Sequence, residues 1–477
     1  MWIKDYIKMA KMALAMPLTF LALTGCGSEF DLQKSQGPEA LIFVANDGDG
    51  TVSVIEHSNG GNIVSKTITV GSGGIGDMVV TSEDHIFVNV TDNNAVAAID
   101  PVVDGSPELR NLLPAGSRPV HAYIDPEGTR VWVMNDGDAA SGPCMTAGPD
   151  GSATGSVTLI QNHEVEGGDG GGGGAGTLGE VIATTCVGRG HHKGAFSYPT
   201  ADAPAAPHRT FISNISDGTI SVIDNDPASA DYLKVIATID LCDSTEEQSL
   251  GNPVCDADLS TINKSTPHGI DYSPVSGMIY NSNVGYGTVA VIDPELNTVA
   301  TAIDIGFANK AHISPDGRFL IVKGADAKSD PDHIHGKLTV IDTADNSFKQ
   351  TDITDVHPDS FEFTPDGKKL YVVSASSGST AQKVSLKNNV VLVYDSSNLP
   401  DLTLVKEITV GAADGSHRGI AIHEHDGMAE HVIVPNPAED TVSFIDSETD
   451  TVVDSVIVGD EPGSILIFSI GEGHSHM

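Results

Sequence analysis

Aromatic side chains are scarce in this 477-residue chain, at 5% with two tryptophans, and 25 basic residues face 65 acidic ones. The formal charge of −40 sets up a field that repels nucleic acid and anionic membrane surfaces and attracts cations and basic partners. The five cysteines include no CxxC and no CxxCH. The first absence removes the usual dithiol-redox and zinc-ribbon readings, and the second removes covalently attached haem c. No GxSxG elbow occurs, and no Ser/His/Asp triad can be assembled from residues this scattered, so nothing demands an enzyme. Beyond the first few dozen residues, no segment is long and apolar enough to cross a bilayer. What is abundant is glycine, at 51 residues, with charged residues at only 19%, a composition suited to a turn-rich β protein.

The N-terminus reads as targeting sequence rather than fold. Lys4, Lys8 and Lys11 precede a short apolar run, Ala13 to Leu23, that Pro17 interrupts, and then come Leu23, Thr24, Gly25 and Cys26. This order resembles the lipobox of bacterial lipoproteins. The resemblance implies a leader over 1–25, diacylglycerol on Cys26, an anchored linker over 26–40, and membrane contact only through the lipid. Gly27 and Ser28 follow, with no Asp beside the cysteine. In a Gram-negative host that implies the cell envelope, at the outer membrane, facing the periplasm or the surface. The four remaining cysteines suggest two disulfides in an exported chain. Sequence proximity favours Cys242 with Cys255, leaving Cys144 with Cys186.

One pattern recurs over residues 41–469. It opens as LIFVAN ending at Asn46, TVSVIE from Thr51 and SKTITVG ending at Gly71. Its middle element returns as AVAAID, SVTLIQ, TISVID, TVAVID, KLTVID, VVLVYD and TVSFID, giving eight copies spaced 44 to 69 residues apart. Alternating Val, Ile and Thr bounded by Gly, Asn and Asp marks short antiparallel strands joined by tight turns. A second marker is the Pro-x-Gly turn at Asp125–Gly128, Ser314–Gly317 and Thr364–Gly367, in which proline fixes φ and glycine takes the left-handed position. The order of these elements resembles the YVTN-type repeat, a resemblance that implies a ring of four-stranded blades. The period itself also points to a single all-β propeller.

Eight middle strands predict eight blades, or seven if the weak second copy is not one. The first strand, Ile42 to Asn46, occupies a second-strand position, and the last, Gly463 to Phe468, an innermost one. The N- and C-terminal strands are therefore expected to complete one blade together, closing the ring. Residues 470–477 are read as a flexible tail carrying His474 and His476.

In a propeller the links into each inner strand lie on one face, taken here as the top. Six of the eight links carry or adjoin histidine: His121, the pair His191 and His192, His268, His312, His357 and His417. Asp77 fills one remaining junction, and Asp460 and Glu461 the other. His333 and His335 lie in a further top loop and are secondary candidates. Imidazoles converging with carboxylates form a ligand set for Zn(II) or Cu(II). The expected site is His191, His192, His268 and His417, with His121 or His357, losing affinity below roughly pH 6.5 as the ligands protonate.

Two further resemblances bear on this expectation. The stretch CVGRGHHK from Cys186, with His268 and His312 opening later strands, is similar to the propeller domain of nitrous oxide reductase, which implies copper on inner-strand histidines. That family has seven blades and a second copper domain, and this chain has neither. The architecture is also similar to periplasmic zinc metallochaperone propellers. Three functions follow: metal handling or delivery at the channel mouth, a metal-free scaffold gripping a protein or glycan in the envelope, and a redox metalloenzyme. Other motifs are read as architecture. The Asp47–Gly50 and Asn135–Asp138 runs are turns, Gly167 to Gly174 is a flexible loop on the bottom face, and His423, Glu424, His425 and His431 are surface turn residues.

Overall fold

Strands with two buried faces and strands with one alternate along the chain as the sequence pattern requires. The computed structural model describes residues 38–470 apart from 59, 103–105, 149–150, 166–176, 253–254, 256–261 and 416. The expected leader over 1–25, the expected lipidation site Cys26, most of the expected 26–40 linker, the glycine run and the tail beyond 470 lie outside the described residues. The compact unit begins at Pro38. No helix among the described residues is long and apolar enough to cross a membrane.

Eight four-stranded antiparallel sheets form the blades of a propeller. In blade 1 the order from the outside is Gly61–Thr69, Thr51–Ser58, Ala40–Asn46 and Pro462–Ser469. The ring therefore closes as expected, with Ala40 opposite Ser469 and Phe43 opposite Leu466. The weak second repeat, Ala95–Asp100, is a full strand of blade 2, which excludes seven blades. Blades 3 to 8 follow, and the last consists of Ala421–His425, Met428–Asn436, Thr441–Asp446 and Thr451–Ile457.

The core is an eight-layered ring. Each layer fills the space between two adjacent blades, from Phe43 with Val88 between blades 1 and 2 to Ile42 with Phe444 between blades 8 and 1. Second strands such as Ala40–Asn46 are buried along their whole length, whereas the outer strand Gly61–Thr69 alternates exposed and part-buried positions. Burying each large apolar side chain contributes about 1.5–3 kcal/mol. Each layer holds several, so closing the ring removes two apolar faces from water at once.

Polar repeats fix the turns. The amide of Asn46 donates to Thr51 at 2.9 Å and Ser53 at 3.0 Å. Asn214 does the same with Thr219 and Ser221, and Asn436 with Thr441 and Ser443. This clamp explains why Thr-x-Ser opens the third strands of blades 1, 4 and 8. Gly317 and Gly367, at φ 74° and 67°, donate to Ser314 and Thr364 in the expected turns.

Both disulfides pair as expected, Cys144 with Cys186 and Cys242 with Cys255. The first ties the insertion in blade 3 to the end of that blade's outer strand, Thr177–Cys186. Around the axis, inner strands approach one another closely. Gly269 donates its N–H to the Asn309 carbonyl of the next blade at 3.0 Å, and a Cβ there would lie 2.4 Å from that oxygen. The channel wall at this point is backbone against backbone.

Candidate functional site at the channel mouth

Inner-strand starts from all eight blades meet around one cavity of about 890 Å³. Four of the histidines read from the sequence line it: His121, His191, His268 and His417. His121 sits in the inner strand Pro119–Ile124, past a register shift that reorients the strand's entry. His191 lies in the link that leads into Gly194–Ser197.

Two of these imidazoles are held end to end. His121 Nε2 and His191 Nε2 are 3.0 Å apart. Behind them, His121 Nδ1 lies 2.7 Å from an Asp77 oxygen and His191 Nδ1 lies 2.5 Å from Asp136 Oδ2. A carboxylate on Nδ1 fixes the proton there and leaves the Nε2 lone pair facing forward. Two such lone pairs at this separation repel unless a proton or a cation sits between them. The His268 ring stacks on His191 at 4.9 Å with 12° between planes, and its buried Nδ1 has no hydrogen-bond partner.

Cationic side chains stand beside the pair, a feature the sequence reading missed. Lys193 Nζ is 3.0 Å from His121 Nδ1, so lysine and Asp77 compete for that nitrogen. Lys310 donates to Ser360 at 3.1 Å, and Lys323 is paired with Asp359 at 3.1 Å. The cavity still has a negative balance, with seven carboxylates against five cationic side chains in its lining.

Burial sets the protonation of these groups. Desolvation, with Lys193 adding to it, pushes His121 down to about 4 against the pull of Asp77. Desolvation and Lys193 take His268 down to about 2, and desolvation lowers Lys193 to about 8 despite Asp77. Burial alone would raise Asp77, but His121 and Lys193 hold its carboxyl well below the usual range. The mouth imidazoles His121 and His268 are therefore neutral well below the pH 6.5 expected from an ordinary histidine.

The other candidates lie elsewhere. His192 is fully buried, with Nδ1 2.9 Å from the Ser213 carbonyl and Nε2 packed where a Cβ on Gly155 would come within 2.1 Å. His312 Nδ1 lies 3.0 Å from Asp271 of the neighbouring blade, and that hydrogen bond raises its pKa against the desolvation that opposes it. His357 is not in the cavity wall, and Asp359 of the same strand is. His333 pairs with Asp355 at 2.7 Å and His335 with Asp330 at 3.6 Å on the surface. Asp136, whose run reads as a turn in sequence, is the missed residue that orients His191.

A pH dependence of stability follows. Desolvation holds His121, His357 and His423 at about 4 in the folded chain, whereas the same groups titrate near 6.5 when unfolded. Between those values the unfolded chain binds more protons, so stability is full above about pH 6.5 and declines as pH falls toward 4. In chelator, the thermal midpoint is expected to drop by roughly 5 °C or more between pH 7 and pH 4.5. A flat midpoint over that window would show that these imidazoles are not buried neutral.

No protein-family model and no curated protein matches the chain. Among solved structures it is similar to dihydro-heme d1 dehydrogenase NirN in complex with DHE, at 13% identity over 92% of this chain and 77% of that one, with a TM-score of 0.57. It is similar to AztD from Citrobacter koseri at 15% identity over 92% and 99%, with a TM-score of 0.52. It is also similar to Sqt1 from Saccharomyces cerevisiae at 11% identity over 84% and 91%, with a TM-score of 0.56. At these identities the likeness bears on the propeller fold alone.

Proposed function

We propose that the channel mouth binds a transition metal, Zn(II) or Cu(II), between His121 and His191, for metal handling or delivery in the cell envelope. One observation carries this reading: two carboxylate-backed imidazoles present their Nε2 atoms to each other at 3.0 Å. Zinc and copper take neutral imidazole nitrogen, and an orienting carboxylate on the other ring nitrogen is the usual support. His268 Nδ1 and the His417 ring are the next candidates for ligation. The same reading places the chain at the outer membrane through diacylated Cys26, supported by the lipobox order and by two disulfides suited to an oxidising compartment. The recipient or donor of the metal is then another periplasmic or cell-surface protein.

A second reading, a pocket for an anionic organic group, is favoured by Lys193 and Lys310. Among the described residues neither has a carboxylate within ion-pair distance. The test is metal content after incubation with Zn(II) or Cu(II) and desalting. The wild-type chain should retain one more equivalent than a His121→Ala/His191→Ala variant. Equal retention would reject the metal reading and leave the anionic pocket.

A further inference from the structure

Two of the histidines at the bottom of blade 8, His423 and His431, are not surface turn residues, whereas Glu424 and His425 are exposed as expected. His423, in the inner strand Ala421–His425, is 2% exposed, and His57, near the end of the blade 1 strand Thr51–Ser58, is 3% exposed. Together with Glu430 and His431 they place one nitrogen or oxygen atom each within 4.8 Å of all the others. Among the described residues no other group of His, Cys, Asp or Glu does so.

A strand bulge creates the cluster. His423 pairs with His431, but Glu424 pairs with Ala429, so Glu430 is the extra residue on its strand. Strict alternation would send Glu430 and His431 to opposite faces, and the bulge re-aims one of them. Glu430 Oε2 then lies 3.3 Å from His423 Nδ1 and 4.0 Å from His431 Nδ1. His57 completes the group across the blade boundary, with ring centroids 4.7 Å from His423 and 4.9 Å from His431.

The cluster has unmet bonding capacity. His423 Nδ1, His431 Nδ1 and Glu430 Oε2 are all buried and have no hydrogen-bond partner. Burying three such atoms side by side is unfavourable unless something binds them. His57 is oriented differently. Its Nδ1 lies 2.6 Å from Asn62 Oδ1, and the Asn62 amide is held in turn by Asp454 at 2.8 Å. Nδ1–H therefore donates to Asn62 and leaves the Nε2 lone pair free.

We propose that His57, His423, Glu430 and His431 form a closed site for a divalent first-row metal of the Zn(II) class, which fastens blade 8 to blade 1 where the ring closes. Three imidazoles and one carboxylate are a tetrahedral zinc ligand set with bonds of about 2.0–2.1 Å. Two of the ligand-bearing segments belong to blade 8 and one to the strand beside the N-terminal strand of blade 1. The metal thus joins blade 8 to the three N-terminal strands of blade 1, which the chain reaches from blade 8 only through the pairing of Pro462–Ser469 with Ala40–Asn46. The proposal stands whether or not the channel mouth binds metal.

The test uses the full chain stripped with chelator and titrated with Zn(II). With both sites competent, the wild type takes up two equivalents and its thermal midpoint rises by several degrees. His121→Ala/His191→Ala and His57→Gln/His431→Gln each take up one, and each keeps only the part of the rise that its remaining site supplies. If only the closure site exists, the wild type and the mouth variant each take up one and both show the rise. A folded His57→Gln/His431→Gln chain with unchanged uptake and an unchanged midpoint rise overturns the proposal. Should that variant fail to fold, Co(II) bound to the mouth variant decides. A strong visible band of four-coordinate cobalt is expected, and its absence overturns the site.

Discussion

His121→Ala/His191→Ala is expected to weaken metal binding at the channel mouth by a factor of about 10⁴ or more. Structural zinc sites gain about 10–16 kcal/mol from some four ligands, so each ligand carries roughly a hundredfold or more in affinity. Both residues are side chains of the cavity wall, and their removal leaves the blades' apolar layers intact. His121 is absent from the core cluster of blades 2 and 3, which rests on Phe87, Val96, Val131 and Val133. The variant should therefore fold and keep its thermal midpoint to within a few degrees in chelator. Removing only the supporting carboxylate is a milder perturbation. Asp136→Asn leaves an amide that can still accept from His191 Nδ1–H but no longer carries charge, and about a 10–100-fold loss is expected. Titration against a competing chelator measures both. An Asp136→Asn chain with wild-type affinity would mean that His191 is not oriented for ligation.

Arg418→Met should destabilise the fold by about 3 kcal/mol or more. Arg418 is 1% exposed, and its guanidinium donates to the Pro435 carbonyl at 2.7 Å, the Gly411 carbonyl at 2.7 Å and the Asn436 side-chain oxygen. Methionine fills much of the volume but leaves these acceptors dry and unpaired, and each unpaired buried acceptor costs about 1–3 kcal/mol. Burial takes the guanidinium down to about 10, still charged at neutral pH. The backbone N–H of Arg418 also donates to Asp359 at 2.6 Å, the carboxylate that neutralises Lys323. That backbone bond survives the substitution, so the loss measured is that of the guanidinium contacts. Denaturant unfolding gives the magnitude, and a loss below about 1 kcal/mol would contradict this account of the blade 8 entry.

Much of the architecture could be read from local pattern. Thr-x-Ser opens three of the third strands because an asparagine amide must reach Thr and Ser across one turn, as Asn46 reaches Thr51 and Ser53. The ring closure was legible because the first strand lacks a predecessor and the last lacks a successor. Sequence order also sorted His121, His191, His268 and His417 to one mouth, since every inner strand starts on the same face. The adjacent pair His191 and His192 shows where that reasoning ends. Neighbours in a strand-like segment point apart, so one reaches the cavity and the other packs beneath Gly155.

What escaped the sequence depends on irregular backbone and on contacts between blades. The Glu430 bulge has no composition signal, and without it a strand-period reading separates Glu430 from His431. His57 reads as the end of an ordinary third strand until blade 8 is packed against it. Lys193 comes from the entry to blade 4 and Lys310 and Lys323 from neighbouring segments of blade 6, and the two groups meet only around the axis. Asp136 hides inside a turn motif whose local chemistry already accounts for an aspartate.

The most direct test of the metal reading is an anomalous difference map at the zinc edge from crystals of the full chain grown with Zn(II). The account predicts a peak between His121 Nε2 and His191 Nε2, with the two nitrogens parted to about 3.3 Å by bonds of about 2.0–2.1 Å. An empty mouth with the imidazoles still in direct contact, in crystals that hold zinc elsewhere, would contradict it.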